Sequence, residues 1–331
     1  MLLSACLVVR DAATTLGPCL DSVAGVADEV VVLDTGSVDG TWALLRERPG
    51  IRSLQAPWTD DFAAARNAVL AEARGEWVFS VDADEVVFAD RDALRRSISG
   101  TTARTLAVCV RNVGVDGGRD YELAAVRLFR REGARWSGRV HEQVDHPSDR
   151  PAVPVELPGD VVRLDHHGYA DEGTRRRKGE RNLLLAAREL EDLRTRPGTP
   201  PDRLAAAVLD VGRSALSAGD PQRAVDAFEA VRDLVPSGPV WSQATDYLAR
   251  VLLGAGEGGL GVLLADQLSA AGVDDQYCRW LRAQGLAQSG RPHDALAQLD
   301  DLTRIVDTAG RRHDPAALEV LRGLCREAVE G

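Results

Sequence analysis

The sequence predicts an α/β domain built on a largely parallel sheet, followed by an all-α domain of helical repeats. Three observations carry that expectation. Up to Asp82, short apolar and β-branched runs alternate with helical patterns, and each run ends in polar residues. A break at Thr195-Arg-Pro-Gly-Thr-Pro-Pro201 then separates this half from one without strand-like runs. Beyond the break, Gly219, Gly254 and Gly290 recur 35 and 36 residues apart.

At 331 residues the chain is long enough for two domains with cores of their own. Its net charge of −11 argues against nucleic acid or an anionic membrane surface as the main partner. Of the 40 basic residues only Lys178 is lysine, which reads as coding bias rather than mechanism. Cys6, Cys19, Cys109, Cys278 and Cys325 are widely spaced and form no Cys-x-x-Cys pair, so they read as small core residues in a reducing compartment. The opening Met1-Leu-Leu-Ser-Ala-Cys-Leu-Val-Val9 has no basic n-region and is expected as a strand rather than a signal peptide. No apolar run approaches the roughly 20 residues that span a bilayer. The protein is expected to be cytoplasmic and not transmembrane.

In order, Leu2 to Val9 reads as a buried strand with Arg10 and Asp11 at its end, and Thr15 to Val23 as a helix. Glu29 to Leu33 is a second strand, closing on Asp34-Thr-Gly-Ser-Val-Asp-Gly-Thr41. Gly36 allows a tight turn there, and Ser37 or Asp39 can cap the helix through Trp42. The turn's N–H groups suit a phosphate and Asp34 suits a base or ribose, although an ordinary strand–turn–helix junction has the same residues. Ile51 to Ala56 is a weaker strand, and Trp58 to Ala73 an Ala-rich helix with Asp60 or Asp61 near its cap. Arg66 and Asn67 interrupt that helix's small residues and are candidates to face a nucleotide.

Trp77, Val78, Phe79 and Val81 form the next buried strand, which stops at Asp82-Ala-Asp-Glu85. Three carboxylates in four residues at the C-terminal end of a strand repel one another unless a cation is present. The expected cation is hard and divalent, Mn2+ or Mg2+. No Gly-x-Gly-x-x-Gly follows the first strand and no Gly-x-x-x-x-Gly-Lys-Ser/Thr occurs, so dinucleotide and P-loop enzymes lose support.

Ala5-Cys-Leu-Val-Val-Arg-Asp11, Asp34-Thr-Gly-Ser-Val-Asp-Gly-Thr41, Asp61-Phe-Ala-Ala-Ala-Arg-Asn67 and Asp82-Ala-Asp-Glu85, in that order, resemble the family 2 glycosyltransferases. Those are GT-A-fold enzymes that use nucleotide-diphosphate sugars. The resemblance implies a GT-A nucleotide-sugar-binding sheet flanked by helices. It also implies that Asp34 contacts the base, Asp82 the ribose and Asp84 the metal bridging the diphosphate. Arg66 would lie near the nucleotide, and Val8, Arg10 and Gly36 fall among the donor-binding positions of the same motifs.

Further on, Leu106 to Val110 reads as a strand and Val115-Asp-Gly-Gly-Arg119 as a turn. The Arg127-Leu-Phe-Arg130 and Val140-His-Glu142 elements resemble a subgroup containing lipopolysaccharide-core glucosyltransferases and bacteriocin S-glycosyltransferases. His141 and Glu142 offer a metal ligand and a general base, or a surface pair. Glu142 is assigned as the base, with Glu85 as the alternative, and inversion is assumed because the resemblance implies it. In Val161-Val-Arg-Leu-Asp-His-His-Gly-Tyr169, His166 matches the family's His-x-Gly-Tyr element and is a metal ligand ahead of His167.

Arg175-Arg-Arg-Lys178 opens a long helix, where Arg175 and Lys178 would meet the diphosphate or simply be solvated. The glycine spacing is close to the ~34-residue tetratricopeptide period, so about three helical hairpins are expected. Their middle unit, Ala255-Gly-Glu-Gly-Gly-Leu-Gly261, departs from the pattern and reads as degenerate. The expected domains are 1–170 for the glycosyltransferase, 171–202 for a connecting helix and Pro-rich break, and 203–331 for the repeats. The expected function is a metal-dependent transferase taking a nucleotide-diphosphate sugar donor and a peptide, glycan or lipid-linked acceptor. Its repeats would hold an acceptor or form a homodimer. The alternative is a non-catalytic scaffold with a degenerate GT-A domain and peptide-binding repeats.

Overall fold

The computed structural model describes residues 1–116, 119–146, 155–167 and 172–330, except the side chains of 114–116, 119, 120, 172, 174 and 175. The chain divides into two compact units, Met1–Tyr169 and Ala170–Gly331. Two expected features fall outside the described residues: the tip of the Val115–Arg119 turn and the Gly168-Tyr169 end of the histidine element.

The first unit opens with β1 (Leu3–Val9), α1 (Leu16–Ala24), β2 (Glu29–Asp34), α2 (Thr41–Glu47), β3 (Ile51–Gln55), α3 (Phe62–Glu72) and β4 (Trp77–Ser80). It continues through β5 (Glu85–Ala89), α4 (Arg91–Gly100), β6 (Thr105–Asp116), β7 (Arg119–Arg130), β8 (Arg135–Ser137), β9 (Gln143–Asp145), β10 (Val155–Glu156) and β11 (Val162–His167). The sheet order is β3-β2-β1-β4-β7-β6-β11-β5, with β10 beside β6. β3, β2, β1 and β4 are parallel, and β7 adds antiparallel to β4. β5 then returns antiparallel to β11, placing His166 opposite Glu85.

The near-continuous apolar run of β1 has a simple cause: both faces of the sheet are covered. Leu3, Ala5, Leu7 and Val9 pack into one core with Leu16, Leu20, Trp77 and Phe79. Cys6 and Val8 turn the other way, onto Val69 and Leu70 of α3 together with Phe129 and Trp136. All five cysteines are free and buried, as expected of core residues.

The second unit is helical: α5 (Glu172–Thr195), α6 (Pro201–Ala218), α7 (Pro221–Leu234), α8 (Pro239–Gly254), α9 (Gly258–Ala270), α10 (Asp275–Gln288), α11 (Pro292–Leu299) and α12 (Pro315–Glu330). Neighbouring helices pack in sequence, and α6 also touches α8 as α8 touches α10, the stacking of a repeat array. The segment expected as a connector differs: α5 packs on α6, and a Cβ at its Gly179 would lie 2.3 Å from the Ser217 carbonyl carbon. The left-handed turn after α8 belongs to Gly256 (φ 85°), not Gly254. The glycines of the middle unit are not degenerate either. A Cβ at Gly258 would meet the Gly285 carbonyl oxygen at 2.5 Å, and one at Gly285 would meet that of Gly258 at 2.5 Å. There the backbones of α9 and α10 approach too closely for a side chain. No helix among the described residues is long and apolar enough to cross a membrane.

Candidate functional site

The sheet brings the ends of β1, β2 and β4 to one edge, where open α/β sheets bind ligands. The loops after β1 and β2 are laced together there. Asp11, at φ 49°, accepts from Val38 N at 2.8 Å and donates its own N–H to Ser37 Oγ at 2.9 Å. Ala12 N reaches Thr41 Oγ1 at 2.8 Å, and Ala13 N reaches Asp39 at 3.1 Å. Asp34 is fully buried, and its Oδ1 accepts from Gly36 N and Ser37 N at 3.0 and 2.8 Å. In the turn considered for a phosphate, the N–H groups of Gly36, Ser37, Val38 and Thr41 are therefore taken by carboxylates of the chain. The cap position of α2 is Gly40, without a side-chain cap bond, rather than Ser37 or Asp39; Asp39, one residue earlier, accepts from Thr41 N at 2.9 Å. Among the described residues, the second oxygen of Asp34 is buried without a hydrogen bond. Val8 packs half-buried on β1, while Arg10 is exposed with its Nε 3.8 Å from Asp11. Gly36 has a φ of 102° that suits glycine.

The helix α3 starts where Asp61, rather than Asp60, caps Ala64 N at 2.8 Å. One turn in, Arg66 meets three acceptors: Glu142 Oε1 at 2.5 Å, Ser80 Oγ at 2.9 Å and Asp82 Oδ1 at 2.8 Å. Its neighbour Asn67 does not face this site. It exchanges two 2.9 Å hydrogen bonds with the Trp136 backbone, pinning β8 to α3 and bringing the following turn, with Glu142, back to Arg66.

Beyond Asp82 lies a residue to which the sequence reading gave no role. Arg127 of β7 donates to Asp82 Oδ2 at 3.0 Å and to Glu85 Oε1 at 2.6 Å. Glu85, 1% exposed, also accepts from the Asp82 N–H at 2.8 Å. Burial opposes ionisation of Asp82, yet the Arg127 and Arg66 guanidiniums hold its carboxyl well below the usual range. Burial pushes Glu85 up to about 7, with the Asp82 charge adding to the rise and Arg127 opposing it. Arg66 is driven up by its carboxylate neighbours despite its own burial. The Arg-Leu-Phe-Arg run was the available signal for Arg127, but a strand arginine does not by itself announce which way it points.

Asp84 stands in the turn between β4 and β5, and its Oδ2 is 3.2 Å from His166 Nε2. His166 is fixed from the other side by Asn112 Oδ1, 2.9 Å from its Nδ1. The hydrogen bond with Asp84 raises the His166 pKa against the effect of burial. His167 follows on the strand with its N–H 3.3 Å from the Asp84 carbonyl. His141, at φ 52°, lies in the turn before Glu142. The expected three-residue shell of Asp84, His166 and His141 is not assembled: among the described residues no group of three His, Cys, Asp or Glu side chains is placed to hold an ion. Asp84 and His166 remain as a pair. A carboxylate oxygen and an imidazole nitrogen at this distance, each about 30% exposed, fit a hard cation whose shell is completed by ligand oxygens and water. Arg175 and Lys178 fall in the second unit. The side chain of Arg175 lies outside the described residues, and Lys178 is exposed on α5.

Residues 4–141 match the model of glycosyl transferase family 2. A TPR repeat-containing protein of Synechococcus elongatus is 40% identical over 144 residues, 43% of this chain and 35% of that protein. The SPbeta prophage-derived glycosyltransferase SunS of Bacillus subtilis is 26% identical over 200 residues, 59% and 46% of the two chains. The lipopolysaccharide core biosynthesis glycosyltransferase LpsC of Rhizobium meliloti is 34% identical over 87 residues, 25% and 32% of the two. The chain thus spans less than half the length of each of these relatives. Over residues 4–141 it is similar to the glycosyl transferase family 2 domain.

Proposed function

We propose that the chain is a cytoplasmic glycosyltransferase that moves a sugar, with inversion, from a nucleotide-diphosphate sugar to a peptide, glycan or lipid-linked acceptor. The observation that carries this reading is the convergence, at the C-terminal end of β4, of Asp82, the Asp84–His166 pair and Glu142 within and beside the family domain. Asp34 would lie at the base and Asp82 at the ribose. Asp84 and His166 would hold Mn2+ or Mg2+, whose chemistry when bound is to neutralise charge on the departing diphosphate.

Glu142 would take the acceptor's proton as the sugar carbon is attacked. Its ion pair with Arg66 supports this role by fixing the carboxylate beside Asp82, which the same guanidinium holds. Glu85 is the poorer base, since its buried carboxylate is spent on Arg127 and on the Asp82 N–H. A donor panel of UDP-, GDP- and dTDP-sugars, with and without Mn2+, tests the reading by hydrolysis and by calorimetric binding. Metal-dependent binding and hydrolysis of one donor class is the expected result. A folded protein that neither binds nor hydrolyses any of them would refute it.

A further inference from the structure

Glu142, Arg66, Asp82, Arg127 and Glu85 form a row of side chains in which charge alternates. Each oxygen of Asp82 is taken by a different guanidinium, Oδ1 by Arg66 and Oδ2 by Arg127. On the Arg127 side the row closes on itself. The guanidinium joins Asp82 to Glu85, and Glu85 returns through its other oxygen to the Asp82 N–H. A carboxylate with one charged donor can swing about its own bonds, but one held from both sides and tied to its own backbone has a single position.

We propose that Arg127 is a positioning residue for the donor, fixing where the Asp82 carboxylate stands and acting on nucleotide binding only through Asp82. This rests on the reading above that Asp82 meets the ribose. Arg127 itself is only 16% exposed, and both hydrogen bonds described for it run inward, to Asp82 and Glu85. A misplacement of about 1 Å in such a group is enough to cost ~100-fold in binding or rate.

The test uses the full chain and whichever of UDP, GDP or dTDP the wild type binds by calorimetry with Mn2+. A wild type that binds none overturns the donor reading itself. Arg127→Ala alone leaves Glu85 buried and uncompensated, so the informative variant is Arg127→Ala with Glu85→Gln, which removes both charges. It should fold, by circular dichroism, and bind the nucleotide ~30-fold more weakly. Adding Asp82→Asn to it should give no further loss beyond that of Asp82→Asn alone. Affinity within threefold of wild type, or losses that simply add, would overturn the inference. If the double variant does not fold, Arg127→Lys decides. It keeps the charge but not the planar fork, so weaker binding by the folded variant supports positioning, and wild-type affinity overturns it.

Discussion

The close approach of α9 and α10 makes a prediction whose sign can be worked out from the contacts. In Gly285→Ala the new Cβ would lie 2.5 Å from the Gly258 carbonyl oxygen, 2.8 Å from Val262 Cγ2 and 3.1 Å from Val262 N. Carbon–oxygen contacts ordinarily begin near ~3.3 Å, so α9 and α10 must part by roughly 0.8 Å along that line. Two of the three obstacles are backbone atoms, which cannot rotate away as a side-chain end can, so the cost should reach the upper part of the ~1–3 kcal/mol seen for overpacking. Alanine's better helix propensity returns ~1 kcal/mol. The net loss is ~2 kcal/mol, a fall in Tm of ~4–8 °C for a unit of this size. Gly323→Ala in α12 is the control, because a Cβ there meets nothing within 4 Å. It should gain ~0.5–1 kcal/mol from the same substitution. Thermal unfolding followed through the helical circular dichroism signal reads both. A Gly285→Ala protein melting at or above wild type would refute the packing argument.

Glu142→Gln should keep donor affinity and lose donor hydrolysis, where water stands in for the acceptor, by ~100-fold or more. Stopped assays with the accepted sugar nucleotide check it, and near-normal turnover would remove Glu142 from the chemistry. Asp84→Asn should leave the melting curve in place and abolish the Mn2+ dependence of nucleotide binding. Calorimetric titrations with and without Mn2+ that match wild type would refute its place as a ligand. Asp28 tests acid stability. Burial raises its pKa, but hydrogen bonds from the Leu3 and Leu2 N–H groups and from Arg95 outweigh that and hold it below its ordinary value. Its contribution is therefore full above the unfolded carboxyl pKa, about 4, and is lost as pH falls through the lower folded value. Asp28→Asn should destabilise the protein at neutral pH and flatten that acid limb in urea titrations at stepped pH. An unchanged limb would show that Asp28 is not its source.

Much of the first unit was legible because burial on two faces leaves unbroken apolar runs, as in β1 and β4. The Asp82–Glu85 cluster was legible because like charges in a strand end demand a partner. That the partners include two arginines was not. Arg66 could be suspected on its helix, but Arg127 reaches Asp82 only because β7 enters the sheet antiparallel to β4, a pairing between residues 49 to 53 positions apart. The helical period was visible, whereas the meaning of its glycines was inverted. A Gly-rich stretch reads as weakened helix until its facing helix is known, and Gly258 has Gly285 opposite it. The turn after β2 shows a different limit. Its N–H groups suit an anion in sequence, and only the fold reveals that Asp11, Asp34 and Asp39 already answer those of Gly36, Ser37, Val38 and Thr41.

That lacing of the two loops has a thermodynamic consequence for whatever ligand the edge receives. The loops after β1 and β2 are ordered by at least five mutual hydrogen bonds before any ligand arrives. Their conformational entropy, on the order of 1–2 kcal/mol per residue, is surrendered when the chain folds rather than when the ligand binds. Binding at this rim should carry a small entropic penalty and proceed without a slow ordering step. Cutting one lace, as in Ser37→Ala, should move the cost from folding to association, leaving the contact atoms in place while the rim closes more slowly around its ligand.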